Sequence, residues 1–296
     1  MNYIGLVYHK QNETMRTFAF LITCCYILWG CSSNKHEQAA DPLATTSVIL
    51  PEAPKNITDT IRAAFPKAVP AHTYADTLLK QLNDKYGILT SQILLGVSTC
   101  VDDIIYTKNF HVHSEIKGPF HLGGLAGLPF TGVSGLEAFA HHIPDGGTML
   151  LMIEPHIGIS EKGGWGYILR PEQQTGSSCC GALIGTLNQL KKGTKQAITE
   201  EDYQGGKILE LAEQHKKEIM SARNPILELT RITSLEAERQ IKEHVLDVTL
   251  EHIKYVVIVT GVLINTDYQY TDYQSIDHLM VYDVSKKEFV EDLKKP

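Results

Sequence analysis

Four short apolar runs without regular polar alternation are the strongest constraint on how this chain can fold. They cover residues 92–100, 149–153, 255–264 and 278–284. Runs of this kind predict strands that are buried on both faces, as in a parallel sheet covered by helices. Because helical patterns separate the runs along the chain, we expect an α/β fold with a mostly parallel sheet flanked by helices.

The segments between these runs carry helix signals. Residues 73–86 place apolar side chains at helical spacing and precede Gly87, a residue type that commonly ends helices. A further helix is predicted to begin at Thr199. Thr233 and Glu236 form a Thr-x-x-Glu pattern, which is typical of a capping box, so we expect another helix to begin there.

Two potential metal ligands stand where predicted strands end. Cys100 ends the first run and His156 closely follows the second. Sites in parallel sheets collect at the carboxyl ends of the strands, so the fold is expected to bring these two residues together. Cys179 and Cys180 supply further thiols later in the chain. Thiolate and imidazole are ligands that zinc prefers, and three protein ligands leave a fourth position for water.

The N-terminal segment resembles a bacterial export signal. Residues 18–30 carry no charge and follow Arg16, but they are too few to span a bilayer comfortably. The sequence Leu28-Trp-Gly-Cys31 resembles a lipobox, in which the cysteine becomes lipidated after cleavage. We therefore expect a lipoprotein signal peptide over residues 1–31. The lipid anchor at Cys31 would hold the protein to a membrane of the bacterial cell envelope, facing the periplasm or the exterior. A plain signal peptide and a buried helix are the alternatives.

The remainder of the chain is expected to form one domain. Residues 32–55 are polar with scattered proline and alanine, which is typical of a flexible tether. Residues 56–296 are sufficient for a single α/β domain. The net charge of −7 lacks the basic excess of nucleic-acid-binding proteins, so no nucleic-acid partner is expected.

The cysteine count favours metal ligation over disulfide bonding. Three of the six cysteines lie beyond the predicted lipobox. An odd number fits a disulfide framework poorly in an exported protein. A disulfide between the adjacent Cys179 and Cys180 is the alternative.

A family resemblance rests on five motifs that occur in order along the chain. They are Gly123-Gly-Leu-Ala-Gly-Leu-Pro-Phe130, His141-His-Ile-Pro-Asp-Gly-Gly147, Pro155-His-Ile-Gly158, Cys179-Cys-Gly181 and Gly261-Val-Leu-Ile-Asn-Thr-Asp267. Over roughly residues 75–285 the chain resembles the θ-class carbonic anhydrases, the limiting-CO2-inducible protein family. The resemblance implies a β-carbonic-anhydrase-like fold, a homodimer and a Zn²⁺ cofactor. It also implies reversible hydration of CO2 to bicarbonate by a zinc-bound hydroxide.

The same resemblance assigns metal ligands. It implies that zinc is held by Cys100, His156 and a cysteine of the Cys-Cys-Gly motif. Cys180 is the predicted third ligand, and Cys179 is the alternative.

Asp102 is the predicted partner of the zinc-bound hydroxide. Cys100-Val-Asp102 has the Cys-x-Asp form of β-class enzymes, in which the aspartate accepts a hydrogen bond from the hydroxide or displaces water from the metal. The arginine that follows two positions later in that pattern is replaced here by Ile104. Arg170 from another loop is the candidate replacement. Asp102 could instead cap a helix after the strand.

His141 and His142 are candidates for carrying protons away from the metal, because imidazole titrates near neutral pH. Packing and solvation are their alternative roles.

Two further functions remain open for the whole chain. One is a non-catalytic zinc protein that binds bicarbonate or serves as an assembly subunit. The other is a thiol hydrolase with Cys100 as nucleophile and His156 as base.

Overall fold

The structure is a computed structural model that describes residues 50–105, 116–193 and 198–290. The predicted signal peptide, its lipobox cysteine Cys31 and residues 32–49 of the predicted tether lie outside the described residues.

Nine strands of the described residues form one sheet, and two more form a separate pair. The sheet contains β1 (Val69–Pro70), β2 (Ile93–Thr99), β3 (Lys117–His121), β4 (Thr148–Glu154), β5 (His156–Ser160), β6 (Gly164–Trp165), β9 (Tyr255–Thr266), β10 (Tyr273–Asp283) and β11 (Glu288–Val290). The separate pair consists of β7 (Tyr167–Ile168) and β8 (Ser177–Ser178).

The centre of the sheet is parallel, as the sequence predicts. Strands β3, β2, β4 and β9 lie side by side in that order with parallel pairing, and β5 continues the parallel pairing along β9. The fourth predicted run becomes β10, which is antiparallel to β9. The short connection between β9 and β10 explains this direction, because a parallel neighbour needs a crossover of a dozen or more residues. Strands β1 and β11 also pair antiparallel with β10.

Seven helices of the described residues accompany the sheet. They are α1 (Lys55–Ala64), α2 (Ala71–Tyr86), α3 (Gly132–Ala140), α4 (Gly181–Lys192), α5 (Tyr203–Gln214), α6 (Lys216–Ser221) and α7 (Pro225–Asp247), and short 3-10 turns cover Thr90–Gln92 and Leu125–Gly127. Of these helices, none combines the length and the apolar composition needed to cross a membrane.

Helices on both faces explain why the strand sequences lack alternation. On one face, Leu150 of β4 packs in a cluster with Leu78 of α2. On the other face, Met149 and Leu151 belong to a larger cluster that includes residues of α3, α4 and α7. Consecutive residues of the strand are therefore buried on opposite sides, which confirms the predicted α/β fold with a sheet flanked by helices.

Two predicted helix starts are wrong. Helix α7 runs without interruption through Thr233, whose buried hydroxyl donates a hydrogen bond to the carbonyl oxygen of Leu229 one turn earlier. That contact uses the hydroxyl within the helix, so it does not cap a helix start. The N-cap of α5 is Asp202, which accepts a hydrogen bond from the amide of Gly205, whereas Thr199 lies before the helix.

The glycine-rich motif lies against the ends of the two strands that carry potential ligands. A Cβ atom on Gly123 would lie 2.2 Å from the carbonyl oxygen of Thr99, the residue before Cys100. Gly127 has a φ of +78°, and a Cβ atom there would lie 3.0 Å from Cα of Pro155. The absence of side chains at these two positions therefore allows the loop to pack directly on both strand ends.

We expect Gly123→Ala to lower the free energy of unfolding by about 1–3 kcal/mol, because the added methyl group meets backbone that cannot move without shifting β2. Gly185→Ala is the matched control, since its Cβ atom meets nothing within 4 Å in helix α4. The control should stabilise the protein by about 0.5–1 kcal/mol. Urea unfolding of both variants measures the difference, and equal effects would contradict the close approach at Gly123.

Candidate metal centre

Three buried side chains converge at the carboxyl edge of the parallel sheet. Cys100 directly follows β2, His156 begins β5 immediately after β4, and Cys180 is the N-cap residue of α4. Their potential ligand atoms all lie within 4.8 Å of one another, and the sulfur atoms of Cys100 and Cys180 are 3.8 Å apart. Two sulfurs and one nitrogen form a donor set that suits zinc.

The hydrogen bonding of His156 leaves one ring nitrogen available. Its Nδ1 lies 2.7 Å from the side-chain oxygen of Asn265. Because an amide oxygen only accepts hydrogen bonds, Nδ1 must carry the proton in this contact. The buried Nε2 has no hydrogen-bond partner among the described residues. A buried ring nitrogen without a hydrogen-bond partner is costly, and a metal ion at this position would satisfy it.

The two facing thiols favour a bound cation. The hydrogen bond from Cys180 lowers the pKa of Cys100 to about 4, although burial opposes the change. The same contact, together with burial, raises the pKa of Cys180 well above its usual value. A proton between the two sulfurs therefore favours the thiolate form of Cys100. Burial opposes a positive charge on His156, but its contacts with Cys180, Cys179 and Cys100 raise its pKa overall. A metal cation can replace the shared proton and neutralise both thiolates.

Cys179 lies close to Nδ1 of the imidazole ring. Its sulfur is 3.6 Å from Nδ1 of His156 and 3.6 Å from the side-chain oxygen of Asn265. Cys179, His156 and Asp102 also form a close set of potential ligands. However, Nδ1 is already hydrogen-bonded, so the geometry favours Cys180 as the third ligand. Cys179 and Cys180 are free thiols, so the alternative disulfide is not formed.

Arg170 reaches Asp102 from the loop between β7 and β8. Its Nη2 lies 2.7 Å from Oδ1 of Asp102, and its Nε lies 3.1 Å from Oδ1 of Asp103. Arg170 also donates hydrogen bonds to the hydroxyl of Ser177 and the carbonyl oxygen of Ser178. An arginine distant in sequence therefore pairs with Asp102, although the position two residues after Asp102 is Ile104.

Asp102 lies between this arginine and the candidate ligands. Its Oδ2 is 3.8 Å from Nε2 of His156. Burial and the neighbouring Asp103 raise the pKa of Asp102, while His156 and Arg170 partly offset the increase. Asp102 also accepts a long hydrogen bond, 3.4 Å, from the amide of Ile104. The predicted capping role is therefore compatible with a position beside the candidate metal ligands.

The structure does not bring His141 and His142 to this centre. Both follow α3, and His252 lies 3.0 Å from the carbonyl oxygen of Ala140 at the end of that helix. His252 lies just before β9, whose amino end pairs with the amino end of β4. The candidate ligands lie at the opposite ends of these strands, about 20 Å away for strands of this length. This placement contradicts a direct proton-transfer role for either histidine.

Two residues near the centre are absent from the sequence prediction of the site. Asn265 contacts His156, and Asp272 accepts a hydrogen bond from the Asn265 amide at 3.0 Å. Both are buried. The available signal was that Asn265 is a polar residue at the end of an apolar run, where a buried amide needs a specific partner.

At neutral pH we expect Arg170→Gln to lower the free energy of unfolding by about 1–3 kcal/mol, because the substitution leaves a largely buried carboxylate without its charged partner. The pKa of Asp102 is raised above its ordinary value of 3.8. The ionised carboxylate is therefore unfavourable in the folded state, and this cost disappears as the pH falls through the raised pKa. The effect of the substitution should shrink over the same interval.

Urea unfolding of the metal-free protein across the acidic range measures this change. The control is the same substitution, Arg170→Gln, made in the Asp102→Asn variant. In that background the destabilisation by Arg170→Gln should lose most of its pH dependence. A destabilisation by Arg170→Gln that stays constant as the pH falls would contradict the assigned ion pair.

Comparison with known proteins shows the family to which this fold belongs. Residues 68–283 match the family of limiting CO2-inducible proteins B/C β-carbonic anhydrases. The crystal structure of PtLCIB4, a homolog of the limiting CO2-inducible protein LCIB, has a TM-score of 0.71 and 25% sequence identity. The alignment covers 80% of this chain and 99% of that chain.

The crystal structure of the limiting CO2-inducible protein LCIB is similar in fold. It has a TM-score of 0.59 and 14% identity, with 78% of this chain and 97% of that chain covered. No curated protein matches the chain. Because the family match extends over well more than half of the sequence, the chain belongs to the limiting CO2-inducible protein B/C family of β-carbonic anhydrases.

Proposed function

We propose that this protein is a zinc-dependent carbonic anhydrase that catalyses the reversible hydration of CO2 to bicarbonate. The observation that carries the proposal is the buried set of Cys100, His156 and Cys180, with the unpartnered Nε2 of His156 directed to a place where a metal fits. Membership of a carbonic anhydrase family supports the same assignment.

The residues of the chain have separable roles in this proposal. Cys100, His156 and Cys180 would hold the ion, and the two thiolates would balance its double positive charge. Zinc, when bound, supplies Lewis acidity that allows water to lose a proton near neutral pH. Thiolates donate more charge than imidazoles, so this effect is expected to be weaker than at a site of three histidines.

Asp102 would accept a hydrogen bond from water at the metal, and Arg170 would hold Asp102 in place. Asp102 is close enough to the ligands to accept a hydrogen bond from a water molecule there. Arg170 holds this carboxylate by its 2.7 Å ion pair and opposes the effect of burial, which favours the ionised form that accepts hydrogen bonds. The arginine thereby orients the acceptor that water requires.

A non-catalytic zinc protein that binds bicarbonate is the second candidate function. The sequence feature that favoured it was the missing arginine two positions after Asp102. The contact between Arg170 and Asp102 removes that reason, since the aspartate has a cation from another loop. The thiol hydrolase loses support because its nucleophile, Cys100, is only 3% exposed.

We expect the purified protein to bind one zinc per chain and to hydrate CO2. In His156→Ala a metal ligand is removed, so zinc affinity and hydration rate should each fall by at least about 100-fold. Stopped-flow CO2 hydration with metal analysis measures both. Cys179→Ser is the matched control and should retain zinc, whereas Cys180→Ser should not. Tightly bound zinc without hydration in the parent would reject the enzyme and favour the bicarbonate-binding protein.

We further propose that the protein is a lipoprotein of the bacterial cell envelope, anchored through Cys31 and facing the periplasm or the exterior. The apolar stretch over residues 18–30 and the lipobox-like sequence that ends at Cys31 support this location.

A homodimer is proposed from the family resemblance, and sedimentation velocity of the purified protein tests it.

Cys31→Ala should abolish incorporation of a fatty-acid label and shift the protein out of the membrane fraction, because no acceptor thiol remains. Labelling and membrane fractionation in a bacterial host measure the change. Cys24→Ala is the control, since that cysteine would leave with the signal peptide. Unchanged labelling of Cys31→Ala would contradict the anchor.

A further inference from the structure

We infer that Asn265 and Asp272 are positioning residues that set the tautomer of His156 and thereby the metal affinity of the centre. The inference rests on the proposed zinc site. It concerns two residues that are not metal ligands themselves but connect to the ligand His156 through a buried series of hydrogen bonds. The series runs from His156 Nδ1 to Asn265, and from Asn265 to Asp272.

The direction of each hydrogen bond in this series follows from Asp272. Oδ2 of Asp272 accepts a hydrogen bond from the amino group of Asn265, and the Nδ2–Oδ2 distance is 3.0 Å. The oxygen of Asn265 is then turned towards His156, 2.7 Å from Nδ1. Nδ1 must therefore donate, which leaves the lone pair of the neutral ring on Nε2, the nitrogen that faces the centre.

Asp272 is itself held by the backbone. Its Oδ1 accepts a hydrogen bond from the amide of Thr266 at 2.8 Å and a longer one from the hydroxyl of Thr266. Thr266 ends β9 and Asp272 directly precedes β10, so the connection between these strands fixes the carboxylate. The position of Asp272 thus depends on the sheet and not on the metal ligands.

Burial allows this series of hydrogen bonds to determine which ring nitrogen of His156 carries the proton. His156 and Asn265 are fully buried, and Asp272 is 1% exposed, so solvent cannot exchange freely with these hydrogen bonds. An amide without the carboxylate could rotate by half a turn and present its amino group to the ring. Nδ1 would then have to accept, and the proton would move to Nε2, where it competes with a metal ion.

Asp272→Asn should therefore weaken zinc binding by about 10- to 100-fold, because it removes the group that fixes the Asn265 amide. The affinity is measured on the full-length protein by competition with a chromophoric chelator. Cobalt(II) absorption gives a second readout, and its ligand-field bands should shift because the orientation of the imidazole changes. Asp283→Asn is the matched control, a buried carboxylate at the other end of β10.

The double variant Asn265→Asp/Asp272→Asn separates positioning from a general need for buried polar groups. The exchange keeps a carboxylate oxygen facing Nδ1, and the amide at position 272 now donates to that carboxylate, so Nδ1 still has to donate although the second hydrogen bond is reversed. Zinc affinity should recover to within about threefold of the parent, whereas Asn265→Asp alone places two carboxylates together and should not recover.

Nitrogen NMR of histidine-labelled, zinc-loaded parent protein tests the same claim without any variant. A proton on Nδ1 and metal at Nε2 of His156 would support it, and the reverse arrangement would overturn it. Parent-like zinc affinity in folded Asp272→Asn would also overturn it, while the proposed zinc site would stand. Failure of the parent protein to bind zinc would instead reject the proposed function, and the positioning role with it.

Discussion

Parallel pairing of three strands that are buried on both faces is the constraint on which the rest of the structure depends. Strands β2, β4 and β9 lie adjacent and in matched register, so their carboxyl ends meet at one edge. Cys100 follows the first strand, His156 follows the second, and Asn265 lies near the end of the third. A shift of one residue in any strand would turn its polar end residue towards the other face of the sheet.

The charges at this edge are arranged in two layers. The inner layer contains the thiols and the imidazole, which are buried and favour a cation. The outer layer contains Asp102 and Asp103, both contacting Arg170. Burying several ionisable groups is unfavourable unless each has a partner. A metal would complete the inner layer, just as the arginine completes the outer one.

The sequence predicts those features whose physical cause is local or follows from strand order. The apolar runs predict the buried strands, and their ends predict that Cys100 and His156 meet. Arg170 could only be a candidate, because its approach to Asp102 depends on a loop 68 residues away. His141 and His142 fail because a short motif does not reveal at which end of the sheet its helix terminates. The sequence does not predict Asn265 and Asp272 as site residues, because their contribution depends on hydrogen-bond directions that only the structure shows.

The central claim is that two thiolates and one imidazole hold zinc with one position left for a non-sulfur ligand. X-ray absorption at the zinc edge of the purified protein tests it most directly, since Zn–S distances near ~2.3 Å and Zn–N or Zn–O distances near ~2.0 Å are resolved. We expect two sulfur ligands and two nitrogen or oxygen ligands. A shell with three sulfurs, in which Cys179 closes the site, or the absence of bound zinc would contradict it.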